Sequence, residues 1–269
     1  MSYRRLPSHR DLLLTVFGLY GRGTEGWIPV AHLVQLLSDV GVEPSGVRAS
    51  ISRLLKKGIL VNRRRGRESE YSLSPGLQDA FSAGDQRIFS PRQASMEDPW
   101  LLAAFTLSET QRSLRHRIRA GLTKLGFGTV APGLWIAPVH LEEEAQDYFT
   151  RHGLDEHVIF FRAELTGGRE PQPDWWNLAL LEDRYERFVK DHSEITDQVR
   201  GRELSPQEAF ALYIPILTNW RGLPYLDPGL PPEILPETWH GEQARQLFAE
   251  LHDLLAAKAS AHAHLVIGH

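Results

Sequence analysis

The residues best able to do chemistry in this sequence are cations and small polar side chains gathered within residues 44–73. In residues 44–57 apolar side chains recur at helical spacing and leave one polar side. That side combines arginine, which binds guanine edges or phosphates with paired hydrogen bonds, and serine, which bonds either group. Its members are Ser45, Arg48, Ser52 and Lys56, with Arg53 at the edge of the apolar stripe. The pattern predicts a helix face that lies against DNA.

A second set of cations surrounds Gly66. Residues 59–62 and 70–73 have the composition of two strands, and Gly66 between them supplies a tight turn. The tip of this hairpin carries Arg63, Arg64, Arg65 and Arg67. Because side chains alternate between the two faces of a hairpin, we expect about half of these arginines to meet DNA. The alternative interpretation is an ordinary charged hairpin beside a solvated amphipathic helix.

The neighbouring elements indicate how both sets are positioned. Pro44 suits a first helical turn and Gly58 a helix stop. Two earlier helices are predicted, one capped by Ser8 and one carrying Leu33 to Val40. Helix, helix, third helix and hairpin form the pattern of a winged helix-turn-helix. In that fold the third helix reads the major groove, and the hairpin contacts phosphates or the minor groove.

Composition limits the class of protein. A chain of 269 residues that is 42% hydrophobic predicts two or three domains. Residues 1–92 contain 14 Lys+Arg and 8 Asp+Glu, whereas residues 93–269 contain 16 and 26. A basic end on an acidic body favours a nucleic-acid module carried by a sensing or assembly module. No cysteine is present, which excludes disulfides and thiolate zinc sites. No run reaches membrane-spanning length, so we expect a cytoplasmic protein without membrane contact.

The rest of the chain predicts a fold of the α+β class. Residues 74–98 are interpreted as a link with one short helix. Residues 100–107, 126–137 and 157–165 suggest strands separated by two helices, in the order β-α-β-β-α-β of a ferredoxin-like domain. The remainder is predicted to be helical. The expected domains are a winged helix-turn-helix with its linker at 1–92, a ferredoxin-like domain at 93–172 and a helical domain at 173–269.

Three groups of motifs together resemble the PaaX family of phenylacetate-degradation repressors. The first group includes Gly46-Val47-Arg48, Ser52-Arg53-Leu54 and Tyr71-Ser72-Leu73. The second includes Gly126-Phe127-Gly128 and Gly133-Leu134-Trp135-Ile136-Ala137-Pro138. The third includes Trp176, Tyr185, Asp227-Pro228, Trp239 and Ala244-Arg245. One departure lies at residues 100–105, which hold Trp-Leu-Leu-Ala-Ala-Phe where a Trp-x-Gly-x-Trp-like strand is expected.

This resemblance implies a dimeric transcriptional repressor that binds a palindromic operator in double-stranded DNA. It implies a winged-helix head, a middle domain similar to the CRISPR spacer-acquisition nuclease fold, and a helical C-terminal domain. It also implies release from the operator when an aryl-acetyl or related acyl-coenzyme A thioester binds. Activation rather than repression stays open at this stage.

Aromatic and arginine residues of the C-terminal third are candidates for contact with that effector. Rings would line a pocket for the acyl group, and guanidinium groups would bind the phosphates. The candidates are Trp176, Arg184, Tyr185, Arg187, Trp220, Arg221 and Trp239. The alternative is that the rings belong to the core and the arginines are solvated.

Two rival functions remain open. A metal-dependent nuclease built on the ferredoxin-like domain needs acidic residues at a strand end, but residues 100–107 contain none and only Asp98 precedes them. The other rival is an assembly protein that uses the hairpin for protein contacts. The sequence shows no nucleophile-base pair, no metal-ligand spacing and no cofactor motif, so we expect neither an enzyme nor a bound cofactor.

Overall fold

The computed structural model describes residues 6–22, 26–168 and 170–268. The chain divides into two compact units. Unit 1 comprises Met1–Phe89, Glu186–Arg221 and Glu242–His269, and unit 2 comprises Ser90–Tyr185 and Gly222–Gly241. Helices and antiparallel sheets are both present, which confirms the predicted α+β class. Within the described ranges, no helix has the length and apolar character needed to cross a membrane.

Unit 1 begins with helices α1, α2 and α3 and a small antiparallel sheet in the order β1-β3-β2. Their bounds are α1 (His9–Tyr20), β1 (Ile28–Pro29), α2 (Val30–Asp39), α3 (Pro44–Lys56), β2 (Leu60–Arg65) and β3 (Glu68–Leu73). The side chain of Ser8 caps α1 by accepting a hydrogen bond from the Asp11 backbone N–H at 3.2 Å. Gly66 has a φ of 63°, which suits the first position of a two-residue hairpin loop.

The segment that follows the hairpin differs from its prediction as a link with one short helix. It forms α4 (Pro75–Phe89), a continuous helix. Phe81 packs against Gly18 of α1, where an added Cβ would lie 3.1 Å from the ring. The indole Nε1 of Trp220 donates to the Ile88 carbonyl at 2.9 Å. These tertiary contacts stabilise a longer helix than local propensity alone would give.

Three further helices complete unit 1: the later part of α7 (Ala179–Val199), then α8 (Pro206–Trp220) and α9 (Gly241–Ile267). Ser205 and Glu208 form a capping box at the start of α8. The buried hydroxyls of Thr15 and Thr218 lie 2.8 Å apart and join α1 to α8. The first helix of the chain is therefore joined in the core of unit 1 to a helix that lies about 200 residues later.

Unit 2 contains a four-stranded antiparallel sheet in the order β5-β6-β4-β7. Its elements are β4 (Trp100–Ala104), α5 (Arg112–Lys124), β5 (Gly128–Ala131), β6 (Leu134–Pro138), α6 (Glu142–Arg151) and β7 (Ile159–Ala163). Leu101 and Ala103 of β4 join a buried cluster with Ile118 and Leu122 of α5 and Phe149 of α6. Both helices therefore pack on one face of the sheet.

The opposite face of this sheet is covered by segments that lie later in the sequence. Trp100 and Ile136 pack there with Trp176, Leu230 and Ile234. The first strand ends at Ala104 rather than at the predicted Leu107. The Leu107 carbonyl instead accepts a hydrogen bond from Arg115 Nη2 at 2.9 Å, so this part of the chain turns towards α5.

Candidate nucleic-acid interface

Helix α3 is held so that one side remains on the surface. Val47, Ile51 and Leu54 are buried, as the helical spacing predicts. Gly46 permits a close approach to α1, because a Cβ at this position would lie 2.7 Å from the His9 ring. The opposite side of α3 is exposed and carries every residue predicted for it: Ser45, Arg48, Ser52, Arg53 and Lys56.

The cations of this exposed side are not equivalent. Arg53 Nη2 donates to the hydroxyl of Ser50 at 2.9 Å, and Ser50 is fully buried. Arg48 and Lys56 make no hydrogen bond or ion pair with any residue in the described ranges. All of the N–H donors of Arg48 are therefore available to a ligand. Arg53, in contrast, uses one N–H donor in a hydrogen bond within α3.

The hairpin arginines divide into two kinds. Arg63 Nε donates to Glu70 Oε2 at 2.6 Å, and its guanidinium carbon lies 4.5 Å from the centre of the Trp27 ring. Arg65 Nη1 lies 3.8 Å from Glu70 Oε1. The Glu70 side chain is only 6% exposed, so these two arginines are the cationic partners of a nearly buried side chain. The guanidinium groups of Arg63 and Arg65 are therefore partly occupied by contacts within unit 1.

Arg64 and Arg67 are the remaining cations of the hairpin. Arg64 pairs in register with Ser69 on the alternate face of the strand, and Arg67 lies in the two-residue loop. Both are exposed, and neither contacts a hydrogen-bonding or ionic partner among the residues that the structure describes. Two of the four predicted arginines therefore present unpaired charge.

Sequence reasoning did not single out Glu70, although it decides which arginines are available. The signal that could have identified Glu70 was the register of the two hairpin strands. A turn at Gly66 places residue 63 opposite residue 70, and oppositely charged residues across a strand pair attract. The result is a surface made of one helix face and one hairpin tip. It carries Arg48, Lys56, Arg64 and Arg67, which are unpaired within the described part of the chain, and has the chemistry to bind a polyanion.

The seven candidate effector residues fall in both units. Trp176, Arg184, Tyr185 and Trp239 belong to unit 2. Trp176 is buried and its Nε1 donates to the Gly126 carbonyl at 3.0 Å. The Tyr185 hydroxyl donates to Asp227 Oδ2 at 2.7 Å, and its ring meets Trp239 edge-on with centres 5.5 Å apart. Arg184 is exposed.

The other three candidates, Arg187, Trp220 and Arg221, belong to unit 1. Trp220 is 1% exposed and stacks on Phe248 with ring centres 4.6 Å apart, so it packs as a core residue. Arg221 lies beside Asp11, with 3.8 Å between Nη2 and Oδ1. Arg187 is exposed.

Unit 2 contains two further polar features that the sequence did not reveal. The Nε1 of Trp100 and that of Trp239 are buried and have no hydrogen-bond partner in the part of the chain that the structure describes. Glu182 accepts hydrogen bonds from the backbone and the ring of His240, the first at 3.1 Å. Within the described ranges, no group of three or more His, Asp and Glu side chains is arranged to hold a metal ion.

Comparisons with known proteins match nearly the whole chain. Three family models match, described as PaaX-like protein (residues 8–77), PaaX protein central Cas2-like domain (93–174) and PaaX-like protein C-terminal domain (176–265). The Escherichia coli (strain K12) transcriptional repressor PaaX is 29% identical over 265 residues, covering 94% of this chain and 82% of that protein. An uncharacterized protein from Mycobacterium tuberculosis is similar in structure, with a TM-score of 0.60 and 21% identity, covering 94% of this chain and 98% of that one. The last comparison supports the fold alone.

Proposed function

The chain belongs to the PaaX family, and from this membership we propose that it is a transcriptional repressor that binds double-stranded operator DNA. The E. coli relative carries the name of a transcriptional repressor. The observation that carries the proposal is the exposed surface of α3 and the hairpin, where Arg48, Lys56, Arg64 and Arg67 have no hydrogen-bonding or ionic partner among the residues that the structure describes.

We assign α1, α2, α3 and the hairpin β2-β3 to a winged helix-turn-helix. In this assignment α3 enters the major groove and Arg48 contacts a base edge. Arg64 and Arg67 bind phosphates beside it, which adds affinity without sequence preference. The helix and strand order of these elements supports the assignment. For unit 2 we propose a ferredoxin-like arrangement, supported by the order β4-α5-β5-β6-α6-β7.

We further propose that the repressor is a dimer on a palindromic operator and that an aryl-acetyl or related acyl-coenzyme A thioester releases it. The family resemblance suggests this effector class. Trp176, Tyr185 and Trp239 supply aromatic rings in unit 2, and Arg184, next to Tyr185 in the sequence, supplies an exposed guanidinium. A ligand of this kind releases DNA only if it binds the DNA-free arrangement more tightly than the DNA-bound one.

A mobility-shift assay on the intergenic DNA upstream of the gene tests the proposal. We expect the full chain to retard that DNA intact, with or without Mg²⁺, and to prefer it to a random-sequence duplex. Shortened DNA that appears only with Mg²⁺ would support the nuclease alternative. No shift of either duplex would contradict DNA binding and favour an assembly role for the hairpin.

A further inference from the structure

The exposed side of α5 in unit 2 carries charge that the proposed function does not use. Between Glu109 and Glu142 the sequence has no Asp or Glu, although unit 2 as a whole contains 17 of them and 10 Lys+Arg. All of the lysines and arginines in this interval lie on α5: Arg112, Arg115, Arg117, Arg119 and Lys124. This helix is therefore a basic surface element on a unit in which acidic residues are in excess.

Three of these cations support the fold. Arg115 Nη2 donates to the backbone carbonyls of Leu107 and Ser108 at 2.9 and 3.2 Å. Arg117 Nη2 donates to the His152 carbonyl at 2.9 Å. Lys124 Nζ lies 5.2 Å from the centre of the Tyr148 ring. Each of these three cations therefore has a contact within unit 2 that explains its position.

Arg112 and Arg119 have no such contacts. Both are exposed, and neither forms a hydrogen bond or ion pair with a residue that the structure describes. With exposed His116 between them they occupy positions i, i+4 and i+7, which share one side of a helix. The carboxylate of Glu109, one turn earlier, lies 3.6 Å from Arg115.

The direction of this row is fixed by packing. Ile118, Gly121 and Leu122, which lie away from this row on α5, are buried, so the row lies on the exposed part of the helix. Ala120 and Thr123, which lie beside this row, are exposed and small. At 1.5 Å of rise per residue, Arg112 and Arg119 are about 10 Å apart along the helix axis.

We propose that the row Arg112, His116 and Arg119 is a second DNA contact, which binds the phosphate backbone of the duplex. The inference rests on the proposed function, because it concerns the same DNA-bound protein. An exposed helix face with repeated cations matches an extended polyanion, whereas a small phosphorylated ligand is bound in a concave site. Contacts to phosphates carry no base information, so this row adds affinity on any sequence.

The test is the salt dependence of binding of the full chain to a random-sequence duplex. The variant is Arg112→Ser/Arg119→Ser. Its control is Arg151→Ser/Arg162→Ser, which removes two exposed cations from the same unit that are bonded to the Asp147 carbonyl and to Glu142. In a plot of the logarithm of the binding constant against the logarithm of the salt concentration, we expect the first variant to reduce the magnitude of the slope by about 1.8. Each lost phosphate contact reduces that magnitude by about 0.9. We expect the control to leave the slope unchanged.

The outcomes separate this inference from the proposed function. Equal slopes for the α5 variant and its control would overturn the second contact and leave the α3 surface unaffected. A wild-type chain that binds no duplex would overturn both. If coenzyme A raises the melting temperature of the wild type but not of the α5 variant, while the slopes are equal, the row binds a small phosphorylated ligand and the inference is wrong. Melting temperatures within about 2–4 °C of wild type establish that both variants are folded.

Discussion

At the scale of single residues, Arg48 is the side chain that we expect to distinguish sequences. It is exposed at the centre of the polar side of α3 and has no internal partner among the described residues. Replacing it with alanine should weaken operator binding by about 1–3 kcal/mol and change binding to random DNA much less. Titration of both duplexes measures this. Lys57→Ala, an exposed substitution beyond the end of α3, is the control. An equal loss on both duplexes would make Arg48 a phosphate contact.

Arg63 and Arg64 are adjacent but should behave differently. Removing Arg63 leaves the buried carboxylate of Glu70 without its closest cation, and an unpaired buried acceptor costs about 1–3 kcal/mol. We therefore expect Arg63→Ser to lower the free energy of unfolding in urea, and Glu70→Gln in the same chain to restore part of it. Arg64→Ser should leave stability unchanged and reduce the salt slope of DNA binding by about 0.9. If the effects of the two substitutions on stability are equal, Arg63 does not stabilise the fold through its ion pair with Glu70.

His192 gives stability a pH dependence of known sign. Its Nδ1 lies 2.8 Å from the Phe188 carbonyl and its Nε2 lies 3.4 Å from Asn219 Nδ2, an arrangement that suits the neutral ring. Burial lowers the pKa of His192 from its usual value. The unfolded chain therefore binds the proton more readily, so stability is complete above about pH 6.5 and falls as the pH drops below it.

The pH dependence is checked by thermal melting. The melting temperature of the wild type should fall between pH 6.5 and 5, and His192→Gln should flatten that decrease. His252, whose pKa is also lowered by burial, contributes in the same direction and remains in both proteins. A pH profile that is unchanged in the variant would show that His192 is not responsible.

At the scale of elements, a glycine in β5 determines how the C-terminal part of unit 2 packs on the sheet. A Cβ at Gly128 would lie 2.6 Å from the Trp176 ring, and the ring is fixed by its hydrogen bond to Gly126. We expect Gly128→Ala to lower the free energy of unfolding by about 1–3 kcal/mol through overpacking. Gly222→Ala, in the same unit and with open space around the new methyl group, is the matched control. Equal stability of the two variants would contradict this packing.

How far these elements could be predicted depended on the range of their contacts. The α3 helix and its exposed face follow from apolar spacing, Pro44 and Gly58, and the hairpin turn follows from Gly66. The length of α4 could not be predicted, because Phe81 and Ile88 are held by contacts with Gly18 and Trp220. Likewise, the ion pair of Arg63 with Glu70 depends on the register of the two strands. The core position of Trp220 depends on its stacking against Phe248.

At the scale of the whole molecule, the N-terminal helices do not stand alone. Unit 1 joins them to Glu186–Arg221 and Glu242–His269, with the Thr15–Thr218 hydrogen bond in the shared core. The predicted division at residues 92 and 172 stays a prediction. Experiments on DNA binding are therefore best done with the full chain, because a fragment ending at residue 92 would expose apolar surface of α1.

The proposed effector gives a reciprocal prediction for the whole molecule. An aryl-acetyl-coenzyme A should weaken operator binding, and operator DNA should weaken thioester binding by the same factor, typically about 5–150-fold. Titrating each ligand in the presence of the other measures both factors. The free aryl acid should act poorly because it lacks phosphates. If the free acid acts as well as the thioester, the guanidinium groups do not bind phosphates. If neither ligand changes DNA affinity, the effector class is wrong.

The account depends most on the DNA-binding surface formed by α3 and the hairpin. Hydroxyl-radical footprinting of the full chain on its upstream DNA tests it most directly, with Arg48→Ala/Arg64→Ser/Arg67→Ser as the comparison. The account predicts two protected half-sites, one helical turn or a multiple of it apart, that disappear in the triple variant although its melting temperature is unchanged. Protection that the folded triple variant retains in full would contradict it.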